Sequence, residues 1–204
     1  MNIFKRILFA ATALCCAFGM SACGGENEDA SNVSLQDGEV TEKAWEDMIA
    51  EMQFENVTFS FVADPFIVGN YDGESGMAKL DGDRCSYVSA EGEEEIMDAE
   101  VAASVRNVYV NTSLAILNNF EDFAFNAEKG AYESVTTIGY EANVQGVDAT
   151  IIVSNVLVTI NENDLLATID CDMEQYFDGE DGPTTFIFHV VFTFSNYGTT
   201  VING

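Results

Sequence analysis

The chain has 204 residues, of which 35 are Asp or Glu and only 7 are Lys or Arg, giving a formal net charge of −28. A field of that sign repels phosphate backbones and anionic headgroups, which excludes nucleic acid as a partner and electrostatic docking on a membrane surface. Five cysteines without a Cys-x-x-Cys pair, and a single histidine, leave no spacing that reads as a zinc or dithiol redox centre.

In chain order, the first signal is an export signal. Lys5 and Arg6 precede an apolar run from Ile7 to Met20 and then small residues, the layout of a cleaved secretory segment over residues 1–22. The run is too short to span a bilayer, which takes about 20 apolar residues. Met20-Ser21-Ala22-Cys23 resembles the lipobox of bacterial lipoproteins, with Met20 where that family usually carries Leu. The resemblance implies acylation of Cys23 and a membrane partner reached through the anchor, placing the protein outside the cytoplasm on the cell membrane or cell surface. Each buried CH₂ is worth roughly 0.8 kcal/mol, so the several acyl chains of that family hold firmly. An ordinary secretory signal cut near Ala22 would give the same address without the lipid.

Residues 23–39 are polar, acidic and rich in Gly, Ser and Asn, and read as a disordered tether behind the lipidated cysteine. Residues 40–204 suffice for one domain with its own core. Thr41 reads as a helix N-cap, and Trp45, Met48, Ile49 and Met52 recur at helical spacing. From Asn56, Val57, Phe59 and Phe61 alternate with Thr58 and Ser60, the period of a half-buried strand ended by Pro65. An acidic loop is expected through Asp72-Gly73-Glu74-Ser75-Gly76, then a hairpin of Met77–Leu80 and Arg84–Ser89 turning at Asp81-Gly82-Asp83. The stretch from Glu93 to Val110 is compatible with helix or strand, whereas Leu114, Leu117 and Phe120 give Thr112–Phe120 a helical period.

Long strands follow over Tyr132–Tyr140, Ala149–Ile160, Leu165–Tyr176 and Thr185–Ser195, a pattern that predicts an antiparallel meander. In the third, Leu165, Ala167, Ile169, Cys171 and Met173 share one face, and Thr168, Asp170, Asp172 and Glu174 the other. In the last, Phe186, Phe188, Val190, Phe192 and Phe194 fill one face, while Ile187 and Val191 flank His189 on the opposite one. The class expected is α+β: a curved antiparallel sheet, or half-barrel, with one to three helices on its concave side. Cys85 and Cys171 both fall in strands, and either one disulfide or two buried thiols would suit them.

The helix with Trp45, the segment Asn56-Val57-Thr58-Phe59, the hairpin at Asp81-Gly82-Asp83, the helix leading to Phe120-Glu121-Asp122-Phe123, and the closing Phe194-Ser195-Asn196-Tyr197-Gly198-Thr199-Thr200-Val201 together resemble lipoproteins of the LolA/LppX-like superfamily. The resemblance covers most of the mature chain and lies in order and texture. It implies a half-barrel whose apolar interior carries lipids or lipidated proteins.

A search for chemistry returns no constellation. His189 stands alone mid-strand, no Gly-x-Ser-x-Gly elbow is present, and the glycines fall in turns without phosphate-cradling spacing. Asp178, Glu180 and Asp181 lack the spacing of a calcium loop. The expectation is a non-enzymatic protein without cofactor or metal. One reading is a carrier for a lipid-like ligand, its cavity lined by Trp45, Met48, Met52, Phe59, Phe61, Phe188 and Phe192. The other is a surface interaction lipoprotein with a collapsed core and a protein partner, in which those residues are packing alone.

Overall fold

The computed structural model describes residues 42–51, 55–65, 74–89, 91–144, 147–179 and 182–203. In chain order these form helix α1 (Glu42–Glu51), strands β1 (Asn56–Pro65), β2 (Glu74–Asp81), β3 (Arg84–Val88) and β4 (Glu94–Ile96), helix α2 (Ala99–Leu117) and a single 3-10 turn (Phe120–Asp122). Strands β5 (Phe123–Asn126), β6 (Ala131–Ser134), β7 (Ile138–Val144), β8 (Val147–Ile160), β9 (Leu166–Gly179) and β10 (Gly182–Ser195) follow. All ten strands join one antiparallel sheet in the order β4-β3-β2-β1-β10-β9-β8-β6-β5, with β7 also paired to β8.

This order divides the sheet into two meanders, β1 to β4 and β5 to β10, in the second of which β6 and β7 both pair with β8. They meet at a seam where β1 pairs with β10 from Thr58↔Ser195 to Pro65↔Phe188. Helix α2 carries the chain from one edge strand, β4, to the other side, where β5 begins. Eight inter-strand gaps of ~4.8 Å make that row ~38 Å wide, whereas 19 helical residues reach only ~28 Å. The helix covers only part of that row, packing on β3 and, through Ile116 and Leu117, joining the buried cluster. Asp98 starts it, its side chain accepting a hydrogen bond from the Val101 amide at 2.9 Å.

The inner face of the sheet is apolar because the strand period places Val57, Phe59, Phe61 and Ala63 of β1 in register with Phe194, Phe192 and Val190 of β10. Ile169, Cys171 and Met173 of β9 continue the row, followed by Ile151, Val153, Val156 and Val158 of β8. With Trp45 and Met48 of α1 and Ala102, Val105, Ile116 and Leu117 of α2 they form one buried cluster. Gly76 lies opposite Phe61 on this face, and a Cβ there would stand 2.9 Å from the Phe61 ring and 3.0 Å from that of Tyr87. A glycine is what lets both rings close over β2.

Turns follow their chemistry. Gly82, at φ +58°, takes the left-handed position of the β2–β3 hairpin. Between β8 and β9 the Asn161 side chain accepts hydrogen bonds from the Asn163 and Leu165 amides, folding the loop upon itself. After β10 the chain doubles back over the outer face. The Thr200 amide donates to Asn56 Oδ1 at 2.7 Å, the Thr58 and Thr200 hydroxyls lie 3.0 Å apart, and Ile202 is buried.

Four expectations are corrected. Glu74–Gly76 is the start of β2 rather than loop, since Val62, Ala63 and Phe61 offer it partners. The ambiguous stretch holds β4 and most of α2, which ends at Leu117 rather than Phe120. The segment Tyr132–Tyr140 is two strands, because β8 bulges between Ser154 and Leu157 and its partner strand breaks opposite the bulge. In β9 a second irregularity, between Thr159 and Ile160 of β8, puts Leu166 inside with Ile169 and leaves Leu165 and Ala167 part-exposed. Cys85 and Cys171 are free, buried thiols. Burial pushes that of Cys85 up to about 11, against a smaller opposing effect of Arg106, and that of Cys171 up to about 12, helped by Asp170 and Asp172.

Candidate functional site

Six of the seven predicted lining residues are described, and all six are buried in the one apolar cluster: Trp45, Met48, Phe59, Phe61, Phe188 and Phe192. Met52 and the lipidation residue Cys23 lie outside the described residues. The structure divides the six into two groups with different surroundings.

Trp45 fastens α1. Its indole Nε1 donates to the Leu117 carbonyl at 2.9 Å, satisfying one of the carbonyls that the end of α2 leaves open. Its ring packs on Phe120, Phe123 and Tyr132 at centroid distances of 5.7, 5.1 and 5.2 Å. These contacts tie α1 to the end of α2, to the 3-10 turn and to β5 and β6.

Phe59, Phe61, Phe188 and Phe192 instead belong to a track along the seam. Cross-strand pairs Phe59↔Phe194 and Phe61↔Phe192 begin it, and Phe188 opposite Pro65 continues it. Beyond the end of β1 the track runs on through Phe186, stacked on Phe188 at 6.2 Å, and Phe177, edge-on to Phe186 at 5.8 Å. Phe188 and Phe192 are buried, whereas Phe186 and Phe177 are only half-buried. The apolar surface therefore reaches from the core out toward the end of the sheet.

Beside the track the inner face carries polar groups that the apolar pattern did not announce. Gln175, opposite Phe186 on one side and Ile151 on the other, is buried at 4% exposure, with its amide 3.4 Å from Met173 Sδ. Tyr140 pairs with the same Ile151 from β7, so Tyr140, Ile151, Gln175 and Phe186 form one row across four strands. The Tyr140 hydroxyl is buried close to Cys171 and to Thr112 of α2. Burial foremost, then Cys171, push its phenol far above the ordinary value, while hydrogen bonding with the Thr112 side chain acts in the opposite direction. Gln175 was legible as the polar residue that interrupts the inner set Ile169, Cys171, Met173; Tyr140 had no such signal.

The outer face holds the ionised groups. His189 Nδ1 lies 3.0 Å from Asp172 Oδ1 and its Nε2 3.5 Å from Asp170 Oδ1, so carboxylates face both ring nitrogens. Asn155, at the β8 bulge with φ 53°, donates to Asp172 Oδ2 at 2.7 Å. Burial works to raise the Asp172 pKa, but the hydrogen bonds from Asn155 and His189 and the imidazolium charge outweigh it and lower the value. Among the described residues no group of three or more His, Cys, Asp or Glu side chains is arranged to hold a metal ion. No helix there is long and apolar enough to cross a membrane. Neither a family model nor a curated protein matches the chain.

Proposed function

We propose that the protein is a lipid-anchored, extracytoplasmic binding module that holds an apolar or lipid-like ligand between the sheet and its helices, without catalysing a reaction. The observation that carries this reading is the aromatic track, continuous from buried Phe59 and Phe192 to half-buried Phe186 and Phe177. A packed core has no need of an apolar path that extends past the end of its central strand. A ligand with a hydrocarbon body does, since each CH₂ moved onto such a surface gains roughly 0.8 kcal/mol. Supporting it, Asn56–Phe59 and Phe194–Val201, two of the segments that resemble LolA/LppX-like lipoproteins, are neighbours in space across the seam and the returning tail. Export and anchoring rest on residues 1–23, with Cys23 as the acylated residue.

The second reading, a protein-docking lipoprotein, is favoured by one feature of the outer face. Val62 and Met77 are 44% and 38% exposed there, on adjacent strands. The two readings separate in native mass spectrometry of the full chain carrying Cys23→Ser, which is exported without acylation and purified without detergent. A stoichiometric adduct that organic extraction removes is the expected result. A clean apo mass, with no uptake of added fatty acid or phospholipid, overturns the carrier reading in favour of docking.

A further inference from the structure

We propose that the outer face of the sheet around Val62 and Met77 is a docking strip for a basic, amphipathic protein segment, one that lays apolar side chains on the strip and Lys or Arg over the carboxylates beside it. The inference rests on the docking feature of the outer face and gives that surface its partner class; the carrier reading concerns the inner face and does not enter. Along three neighbouring strands the outward residues are mostly polar: Thr58 and Ser60 in β1, Ser195 and Thr193 in β10, Lys79 and Ser75 in β2. That alternation breaks at Val62, Val191 and Met77, and the register makes these three neighbours. Val62 pairs with Val191, and Met77 sits opposite Ser60, one outward position along from Val62. Val88 pairs with Met77 on the next strand. Three inter-strand gaps of ~4.8 Å give an apolar strip ~14 Å long across β3, β2, β1 and β10. Val62 and Met77 are exposed, and Val88 and Val191 are half-buried. The returning tail covers Thr58 and reaches Glu94 but leaves the strip open.

The surroundings select the occupant. Asp170 pairs with Val191, and the next outward row holds Asp64, His189 and Asp172. Against these carboxylates the same rows set His189, which faces Asp170 and Asp172, while Lys79 on the neighbouring strand is engaged with Glu94. A second copy docked on a two-fold axis would bring the same carboxylates face to face, on a chain whose formal charge is −28. An anionic membrane surface is repelled in the same way. The chain's own residues 23–39 carry Glu26, Glu28, Asp29, Asp37 and Glu39 and no base. A cationic segment with apolar side chains gains from both the strip and its rim. Four side chains fall far short of the ~1,200–2,000 Å² of a stable interface, so the contact is a reversible one, steered by charge and weakened by salt.

The test titrates a fluorescent amphipathic peptide of Leu and Lys against the Cys23→Ser chain, beside Leu/Ser and Leu/Glu peptides of the same pattern. The Leu/Lys peptide is expected to bind tightest and to weaken as salt rises from about 20 to about 200 mM. Val62→Thr with Met77→Gln keeps side-chain size and removes the apolar surface, and should weaken it about tenfold. Val135→Ser, at an exposed apolar side chain elsewhere, should leave it unchanged. A separate pair, Asp64→Asn with Asp170→Asn, should weaken it at low salt and flatten the salt dependence, and urea unfolding shows that each variant is folded. Equal Leu/Lys binding by the parent and the strip variant reduces the contact to overall charge, and overturns both the proposal and docking at this face. Tightest binding of the Leu/Ser or Leu/Glu peptide, lost in the strip variant, keeps the docking face but overturns the basic partner. Self-association in sedimentation, or binding to phosphatidylcholine vesicles, that the strip variant loses assigns the strip to a second copy or to a lipid surface and overturns the proposal as well.

Discussion

Glu94 has the most strongly organised carboxylate among the described residues. It accepts from Ser86 at 2.6 Å, from Lys79 at 3.0 Å and from Asn203 of the returning tail at 3.3 Å, joining β2, β3, β4 and the tail in one knot. The hydrogen bonds from Ser86 and Lys79 foremost, with that from Asn203 and the Lys79 charge, hold its pKa at about 2, below the ordinary 4.5, against burial, which acts to raise it. A depressed acid stabilises the fold above its unfolded pKa, and that stability is lost as pH falls from 4.5 toward 2. Solvent screening of a partly exposed pair leaves about 1 kcal/mol of it. Glu94→Gln should therefore lower stability in urea by about 1 kcal/mol at pH 7, with the gap closing as pH falls through that window. A gap that persists at pH 2 would assign the loss to shape rather than charge. At this scale some roles were legible and others not. His189, the single histidine in a strand lined with Asp, reads from sequence as a surface or satisfied group, and the two aspartates bear this out. The partners of Glu94 come from three separate segments, and nothing local in Glu93-Glu94-Glu95 distinguishes the middle acid from its neighbours.

Helix α1 has ten residues, too few to be stable alone in water, so it persists through what Trp45 reaches. Trp45→Ala should cost about 3–5 kcal/mol through lost burial and the cavity left behind. Trp45→Phe, which keeps a ring but gives up the bond to Leu117, should cost about 1–2 kcal/mol. Denaturant unfolding followed by circular dichroism measures both, and equal losses would show that the indole N–H contributes nothing. The helix itself was readable from Trp45, Met48 and Ile49, because amphipathic spacing is a local property. Strands β1 and β10 and the β2–β3 hairpin were readable for the same reason. The long partner of β8 was read as unbroken because a bulge changes spacing without changing composition: Val153, Val156 and Val158 are all buried although they depart from a strict period of two. Asn155, left-handed at the bulge and tied to Asp172, was its one local sign. Helix α2 resisted reading since its residues 101–110 mix β-branched and helix-forming types, and the Asp98 cap follows a strand of only three residues.

Across the whole molecule the charge and the fold divide labour by face. Among the described residues the inner face is apolar apart from Gln175 and Tyr140, and the outer one carries Asp170, Asp172, Glu174 and Glu94. The candidate ligand surface was legible as a set of aromatic positions, Phe59, Phe61, Phe188 and Phe192. Its extension to Phe177 and its polar row were not, because both depend on which strands lie side by side. The seam bears on a different property, the time the chain takes to become itself. Each meander can zip from its own hairpins, but the pair Thr58↔Ser195 joins residues from opposite ends of the domain, and such closures are slow. Phe61→Leu and Phe192→Leu, opposite each other in the seam, are expected to accelerate unfolding by several-fold while leaving refolding nearly unchanged; slowed refolding instead would place the seam in the nucleus. A chain built this way stays open along its middle until β10 has emerged. Until then the apolar inner edges of the two meanders have no partner, and the newly made protein is at its most exposed to proteases and to its own copies.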